Sequence, residues 1–222
     1  MINIAIDGPS GAGKSSLAKR LAADLGYIYV DTGALYRAIG LCAYERGADT
    51  SVPAEVEKIL PETHLELRYE DGAQKVILNS RDVSSDIRLP HVSMLASDVS
   101  KIPRVREFLL DLQRDMAKNN NVIMDGRDIG TVILPGADVK IFLTASDEGR
   151  AKRRYKELIE KGVSTTYEEV LEDMRARDLQ DRSRDIAPAV PAEDAVVLDN
   201  SDIDFEGTVE AAHRIISSKI GE

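Results

Sequence analysis

Sulfur chemistry is nearly absent from this chain: Cys42 is its one cysteine, so no intrachain disulfide can form and a reducing compartment is expected. Cys42 lies in Ala38-Ile39-Gly40-Leu41-Cys42-Ala43, an apolar helical stretch, where a buried inert thiol is expected rather than a nucleophile. The three histidines, His64, His91 and His213, are scattered and show no metal-ligand spacing. A basic excess is lacking too. The formal net charge of −10 leaves no broad cationic surface for phosphate backbones, which argues against general nucleic-acid binding. No apolar run is long enough for a membrane span, and no leader is expected, since the N-terminus runs directly into a predicted strand. A soluble cytoplasmic protein is the expectation. Internal repeats and low-complexity segments are missing, as is any Asn-Lys-x-Asp segment of the kind that reads guanine.

What is present is concentrated at the start. Gly8-Pro9-Ser10-Gly11-Ala12-Gly13-Lys14-Ser15 fills every fixed position of a G-x-x-x-x-G-K-[ST] phosphate-binding loop. Its glycines let consecutive N–H groups point inward at phosphate oxygens. Lys14 can reach the β/γ-phosphates, and the Ser15 hydroxyl can ligate Mg²⁺. Ile2–Ile6 reads as the strand entering the loop. Ser15-Ser16 and the residues to Leu25 read as the helix leaving it, its N-terminus facing the phosphates. A bound nucleoside triphosphate is the expectation, gripped by local arginines inside an acidic envelope.

The 222 residues suit one core domain with a small insertion, and a hydrophobic share of 43% is enough for a substantial core. Tyr27–Val30, Asn121–Asp125, Val139–Leu143 and Val196–Asp199 read as further buried strands, with helices predicted over Ala34–Arg46, Asp86–Ser100 and Pro103–Lys118. Strands alternating with helices around a phosphate loop imply an α/β fold with a parallel sheet, whose ligands sit at the carboxyl ends of the strands. Asp7, Asp31, Asp125 and Thr144 fall near those ends. Leu65–Tyr69 and Lys75–Leu78 alternate with period two around Glu70-Asp71-Gly72, an antiparallel hairpin foreign to such a core and therefore part of an insertion.

The arginines point to the second substrate. Arg37, Arg104, Arg106 and Arg127 lie near predicted strand ends or helix starts. Arg175, Arg177, Arg182 and Arg184 share one helical stretch with Asp178 and Asp181. Positions 177, 181 and 184 are spaced four and three apart, which puts them on one helix face. Guanidinium groups are suited to bidentate phosphate contacts.

With Asp31-Thr32-Gly33-Ala34-Leu35-Tyr36-Arg37, Asp125-Gly126-Arg127-Asp128-Ile129-Gly130-Thr131 and Arg177-Asp178-Leu179-Gln180-Asp181-Arg182-Ser183-Arg184 added to the loop, essentially the whole chain resembles the bacterial cytidylate kinases. The Asp125-Gly126-Arg127-Asp128 segment departs from the D-G-F-P-R of adenylate kinases. The resemblance implies a three-layer α/β/α P-loop core over about 1–35, 103–147 and 185–222, its five-stranded parallel sheet ordered 2-3-1-4-5. It also implies a monophosphate-binding insertion with the hairpin over about 36–102 and a short helical lid over about 148–184.

The implied activity is transfer of the ATP γ-phosphoryl group to CMP or dCMP with Mg²⁺, and the rival acceptors are UMP or a shikimate-like molecule. The implied acceptor site comprises Thr32, Tyr36, Arg37, Ser97, Arg106, Asp125, Arg127, Asp128, Arg177, Asp181 and Arg184. Ser97, Arg106 and Asp128 are expected near the cytosine, Arg37, Arg127 and Arg184 near the phosphate, and Arg177 and Asp181 near the sugar. Lys14, Arg127, Arg184 and Asp128 are the expected catalytic set, and Gly8 to Ser16 hold the triphosphate. Thr32 stands where relatives commonly carry serine. Of the basic run Arg150, Lys152, Arg153 and Arg154, one or two are expected to close over the triphosphate, Arg153 foremost. A monomer is expected, since no exposed apolar stripe stands out.

The residues support that assignment on their own chemistry. A carboxylate such as Asp128 can accept from the cytosine N4 amine, whereas uracil would set a carbonyl oxygen against it.

Overall fold

The computed structural model describes residues 1–70, 73–89 and 91–221. It divides into two compact units, one of Tyr29–Asn120 with Met1 and one of Ile2–Ile28 with Asn121–Glu222.

The second unit opens with β1 (Asn3–Asp7), which leads through the phosphate loop into α1 (Lys14–Leu25). After β2 (Ile28–Asp31), at the boundary between the units, the first unit begins with α2 (Thr32–Glu45). Asp31 caps α2 by accepting the Ala34 N–H at 3.0 Å, so the helix starts at Thr32 rather than at Ala34 as the sequence suggested. α3 (Pro53–Ile59) follows, with Pro53 in its first turn, and was not anticipated. The expected hairpin is β3 (Leu65–Glu70) paired antiparallel with β4 (Ala73–Leu78); Asp71 and Gly72 of the expected turn lie outside the described residues. A short β5 (Arg81–Asp82) completes a three-stranded sheet ordered β3-β4-β5.

The single helix expected over Asp86–Ser100 is instead a 3-10 turn, Asp86–Arg88, and then α4 (Val92–Val99). Leu89 between them is extended (ψ 143°), as the residue ahead of a proline prefers; Pro90 itself lies outside the described residues. α5 (Pro103–Asn119) closes the unit. α2 packs against α4 at Gly40, where a Cβ would stand 2.8 Å from the Leu95 Cβ and 2.9 Å from its carbonyl carbon.

Back in the second unit come β6 (Val122–Asp125), β7 (Val139–Thr144), α6 (Asp147–Glu160), α7 (Tyr167–Ser183), β8 (Val196–Asp199) and α8 (Phe205–Ile220). β1 pairs in parallel with β6 and β7, and β7 with β8. With the strands of the small sheet counted in, the five-stranded order reads β2-β6-β1-β7-β8; numbering this sheet's own strands in chain order gives 2-3-1-4-5. Ile4, Ala5, Ile6, Ile123, Met124 and Leu143 are wholly buried, as strands of a covered sheet must be. α1 and α8 contact each other and the sheet. None of the described helices is long and apolar enough to cross a membrane.

Candidate active site

Strand ends set the site's chemistry. Asp7, Asp31, Asp125 and Thr144 each close their strand, as the sequence implied. From Asp7 the chain turns into the loop at Gly8, which only glycine can occupy: its φ is +145°, and a Cβ would meet the Leu143 carbonyl oxygen at 2.0 Å. Gly13 (φ +93°) then turns the chain into α1, so the helix N-terminus faces the loop's concavity.

Lys14 is buried and donates from Nζ to the Pro9 carbonyl at 2.8 Å. Burial holds its ammonium well below the usual lysine pKa; Arg127 and Arg177 push in the same direction, while Asp125 and Asp7 oppose them. Ser15 donates from Oγ to the Asp125 carboxylate at 2.8 Å, which joins the phosphate loop directly to the Asp125–Asp128 segment. Ser16 is exposed on the first turn of α1. Asn200, just past β8, donates to the Ala12 carbonyl at 3.1 Å. Arg153 lies on Asn200 in turn, with bonds to its side-chain oxygen (3.1 Å) and its carbonyl (3.0 Å). Arg150, by contrast, is 1% exposed and bound to Ser10, Asp147, Asp178 and Ala145, so it supports the loop from outside.

The acceptor-type residues of this unit form one cluster. Arg127 donates from Nε to Asp181 at 3.1 Å. Arg184 lies 3.8 Å from Asp181 and 3.6 Å from Asp128, with its Nε bonded to the Ala187 carbonyl at 2.6 Å. The sequence put Arg184 on a helix face; it is instead the extended C-cap of α7 (ψ 141°), which turns its guanidinium toward both carboxylates. Asp125, Asp128 and Asp181 are buried. The electrostatic reach of Arg177 on Lys14 puts it in the same neighbourhood.

Asp7, placed by the sequence at a strand end but given no role there, anchors the segment after Asp128. Asp7 accepts the Ile129 and Gly130 N–H groups, one on each oxygen at 2.8 Å. These amides open a π-helix over Ile129–Ile133, whose wide turn shows in the bonds from Ile133 to Asp128 (3.2 Å) and from Leu134 to Ile129 (2.7 Å). Burial raises the Asp7 carboxyl from 3.8 to about 6, with Asp128 adding to the rise and the two amides and Lys14 opposing it. A carboxylate at a strand end beside the loop was the one available signal.

The remaining expected residues belong to the first unit. Thr32, buried, starts α2; Tyr36 and Arg37 lie one turn on. Arg37 donates to Asp31 at 2.6 Å while the other Asp31 oxygen caps the helix. Gln74 from β4 accepts the Asp31 N–H (2.8 Å) and donates to its carbonyl (3.2 Å), a clasp the sequence did not reveal. Arg106 sits over the Tyr36 ring at 5.5 Å and donates to the Ser100 carbonyl at 3.2 Å. Ser97 is buried on α4.

The Ser15 hydroxyl and Asp125 carboxylate are adjacent hard oxygen donors. That set fits Mg²⁺, which takes one or two protein oxygens and fills its octahedron with water and phosphate.

Residues 4–218 match the protein family described as cytidylate kinase. A protein called cytidylate kinase from Caldicellulosiruptor saccharolyticus is 49% identical over 220 residues, 99% of this chain and 97% of that protein. One of the same name from Thermosipho melanesiensis is 46% identical, covering 97% of each chain. Another from Lactobacillus johnsonii is 43% identical, covering 99% of this chain and 95% of the relative.

Proposed function

The chain belongs to the cytidylate kinase family, and we propose that it transfers the γ-phosphoryl group of ATP to CMP or dCMP, releasing ADP and CDP or dCDP. One observation carries the two-substrate reading. Ser15 of the phosphate loop touches Asp125, and two residues on begins the cluster of Arg127, Asp128, Asp181 and Arg184.

The nucleophile is a phosphate oxygen of the acceptor, largely ionised at neutral pH with a second pKa of about 6, so no general base is needed. Catalysis is then positioning and neutralisation of charge on the transferring group. Lys14 leaves the Pro9 carbonyl for the β/γ-phosphates, whose negative charge restores the proton affinity that burial takes away. Arg127 and Arg184, held by Asp181, flank the transfer path, with Arg37 on the acceptor phosphate and Arg177 and Asp181 at the sugar. When bound by Ser15 and Asp125, Mg²⁺ supplies further charge neutralisation at the phosphates. Asp128 accepts from the cytosine N4 amine, with Ser97 and Arg106 at the same base. The insertion of about 36–102 contributes Tyr36, Arg37 and Ser97. The helices of about 148–184 act as the lid, with Arg153 over the triphosphate, excluding water from a transfer that would otherwise hydrolyse ATP.

Initial rates with CMP, UMP, AMP and shikimate test this reading. CMP is the expected best acceptor, and a clear preference for any of the others overturns it. Asp128→Ala is expected to lower the CMP-over-UMP ratio of kcat/KM by about 10²-fold or more while ATP affinity changes little. Equal loss of ATP binding would contradict the separation of donor and acceptor groups.

A further inference from the structure

Helix α7 reaches the phosphate loop through a residue that lies among those assigned to the acceptor. Asp178 stands between Arg177 and Asp181, and its carboxylate accepts the Ser10 N–H at 3.3 Å. Arg150 of α6 completes the grip: its Nη1 donates both to the Ser10 carbonyl (2.8 Å) and to the other Asp178 oxygen. Both backbone polar groups of one loop residue are therefore held by the α6–α7 pair.

The contact is tight as well as polar. At Gly11 (φ +71°) a Cβ would come 2.7 Å from the Met174 Cε and 3.3 Å from the Arg150 Cβ. The Arg150 guanidinium has no freedom to spare, because Nε is on the Ala145 carbonyl and Nη2 on Asp147. α6 and α7 also share a small core of Ala151, Val170 and Met174, with Tyr155 set edge-on to Tyr167 at 6.4 Å. They are thus built to move together. A buried ion pair is a costly way to brace a loop that apolar packing could brace as well, which points to a directional role.

We propose that the Arg150–Asp178 pair couples the two substrate sites: a triphosphate that reshapes the Ser10–Gly11 peptide re-seats α7, and with it Arg177, Asp181 and the C-cap Arg184, in the arrangement that holds CMP. The coupling rests on the kinase reading above. Because linkage of binding free energies is reciprocal, CMP tightens the triphosphate by the same factor as the triphosphate tightens CMP. Arg150 and Asp178 are positioning residues here, since neither is assigned a contact with either substrate.

Calorimetric titrations with CMP and the non-hydrolysable β,γ-imido analogue of ATP, with Mg²⁺, test it in the intact chain. Each ligand is titrated alone and against a saturating amount of the other. Wild type is expected to show a mutual tightening of about five-fold or more. Asp178→Asn is expected to bring the factor to within two-fold of unity while CMP alone still binds within about three-fold of wild type. A double variant, Arg150→Met with Asp178→Leu, removes both buried charges at similar volume and carries the test if the single variant lacks a cooperative melt. Arg150→Lys, which keeps the charge, is expected to retain more coupling than the double variant. Wild-type coupling persisting in the folded variants overturns the proposal, as does a wild type that binds both ligands independently. A wild type that binds the analogue but no CMP overturns the kinase reading, and the proposal with it.

Discussion

The two units hold their polar side chains in opposite ways. In the second unit the braces around the phosphate loop come from far along the chain: Asn200 to Ala12, Arg150 to Ser10, Asp7 to Ile129. In the first unit shorter spans serve the acceptor-type arginines. Arg37 answers to Asp31 and Arg106 to Ser100, each six positions away, while Gln74 to Asp31, Thr50 to Asp98 and Arg81 to Glu45 reach further along the chain. A triphosphate site must present amides at fixed spacings, so its frame is anchored by tertiary structure. Arg37 and Arg106 are braced from beside their own helices, α2 and α5, so their placement leans more on local backbone than the loop's does.

Lys14→Ala is the strongest test of that contrast. Loss of one preorganised donor at the reacting phosphates is expected to cut turnover about 10²–10³-fold, and to do so equally with CMP, dCMP and UMP, as read by nucleoside diphosphate formation. An effect that varied strongly with the acceptor would mean that the loop and the nucleoside side are not separable.

Asp7→Asn sharpens the same contrast through pH. The folded protein holds the Asp7 proton more tightly than the unfolded chain, near 6 against 3.8. Between about pH 4 and 6 the folded state therefore binds the more protons, and its stability falls as pH rises, by roughly 2 kcal/mol across the window. Lys14, Asp128 and the Ile129 and Gly130 amides share the carboxylate's surroundings, and they remain in the variant. Urea melts are expected to show wild type losing stability relative to Asp7→Asn from pH 4 to 6; parallel profiles would remove the buried carboxylate from the loop's frame.

These anchors explain what could be read in advance. The loop was legible because each position needs one residue type and its neighbours are adjacent in sequence. β8 and the β3–β4 hairpin were legible through their alternation or apolar runs. α3 was not, because within its seven residues only Val56 and Ile59 are buried, too few for a period to show. The π-helix after Asp128 depends on amides held by a carboxylate more than a hundred residues earlier, which no local pattern reports. For the same reason Arg150 read as a mobile lid group. Its neighbours in space, Ser10 and Asp178, are distant along the chain, so a run of basic residues beside the expected lid read as groups that close over the triphosphate.

Gly40→Ala probes the rigidity of the first unit itself. Alanine improves helix propensity by roughly 0.5–1 kcal/mol, but the added Cβ meets Leu95 backbone and side chain below 3.0 Å. Overpacking of this kind costs about 1–3 kcal/mol, so a net loss is expected in thermal melts. A neutral result would show that α2 and α4 shift apart at little cost, and that local bracing leaves this unit softer than its distances imply.

Tyr36→Leu is the mildest test and bears on the nucleoside side alone. Arg106 lies 5.5 Å from the ring centroid, and Tyr36 is 8% exposed, so the guanidinium is held over a largely buried residue. Such a contact is worth about 0.5–1 kcal/mol, rising toward 2 when desolvated. Leucine keeps most of the apolar volume and removes the π face. The bond from Arg106 to the Ser100 carbonyl remains and keeps the side chain near its place. The expected outcome is a CMP KM raised about two- to five-fold, with the ATP KM unchanged and the melting temperature within a few degrees of wild type. An equal rise in the ATP KM would break the contrast, because a residue of the first unit would then be shaping the anchored donor loop.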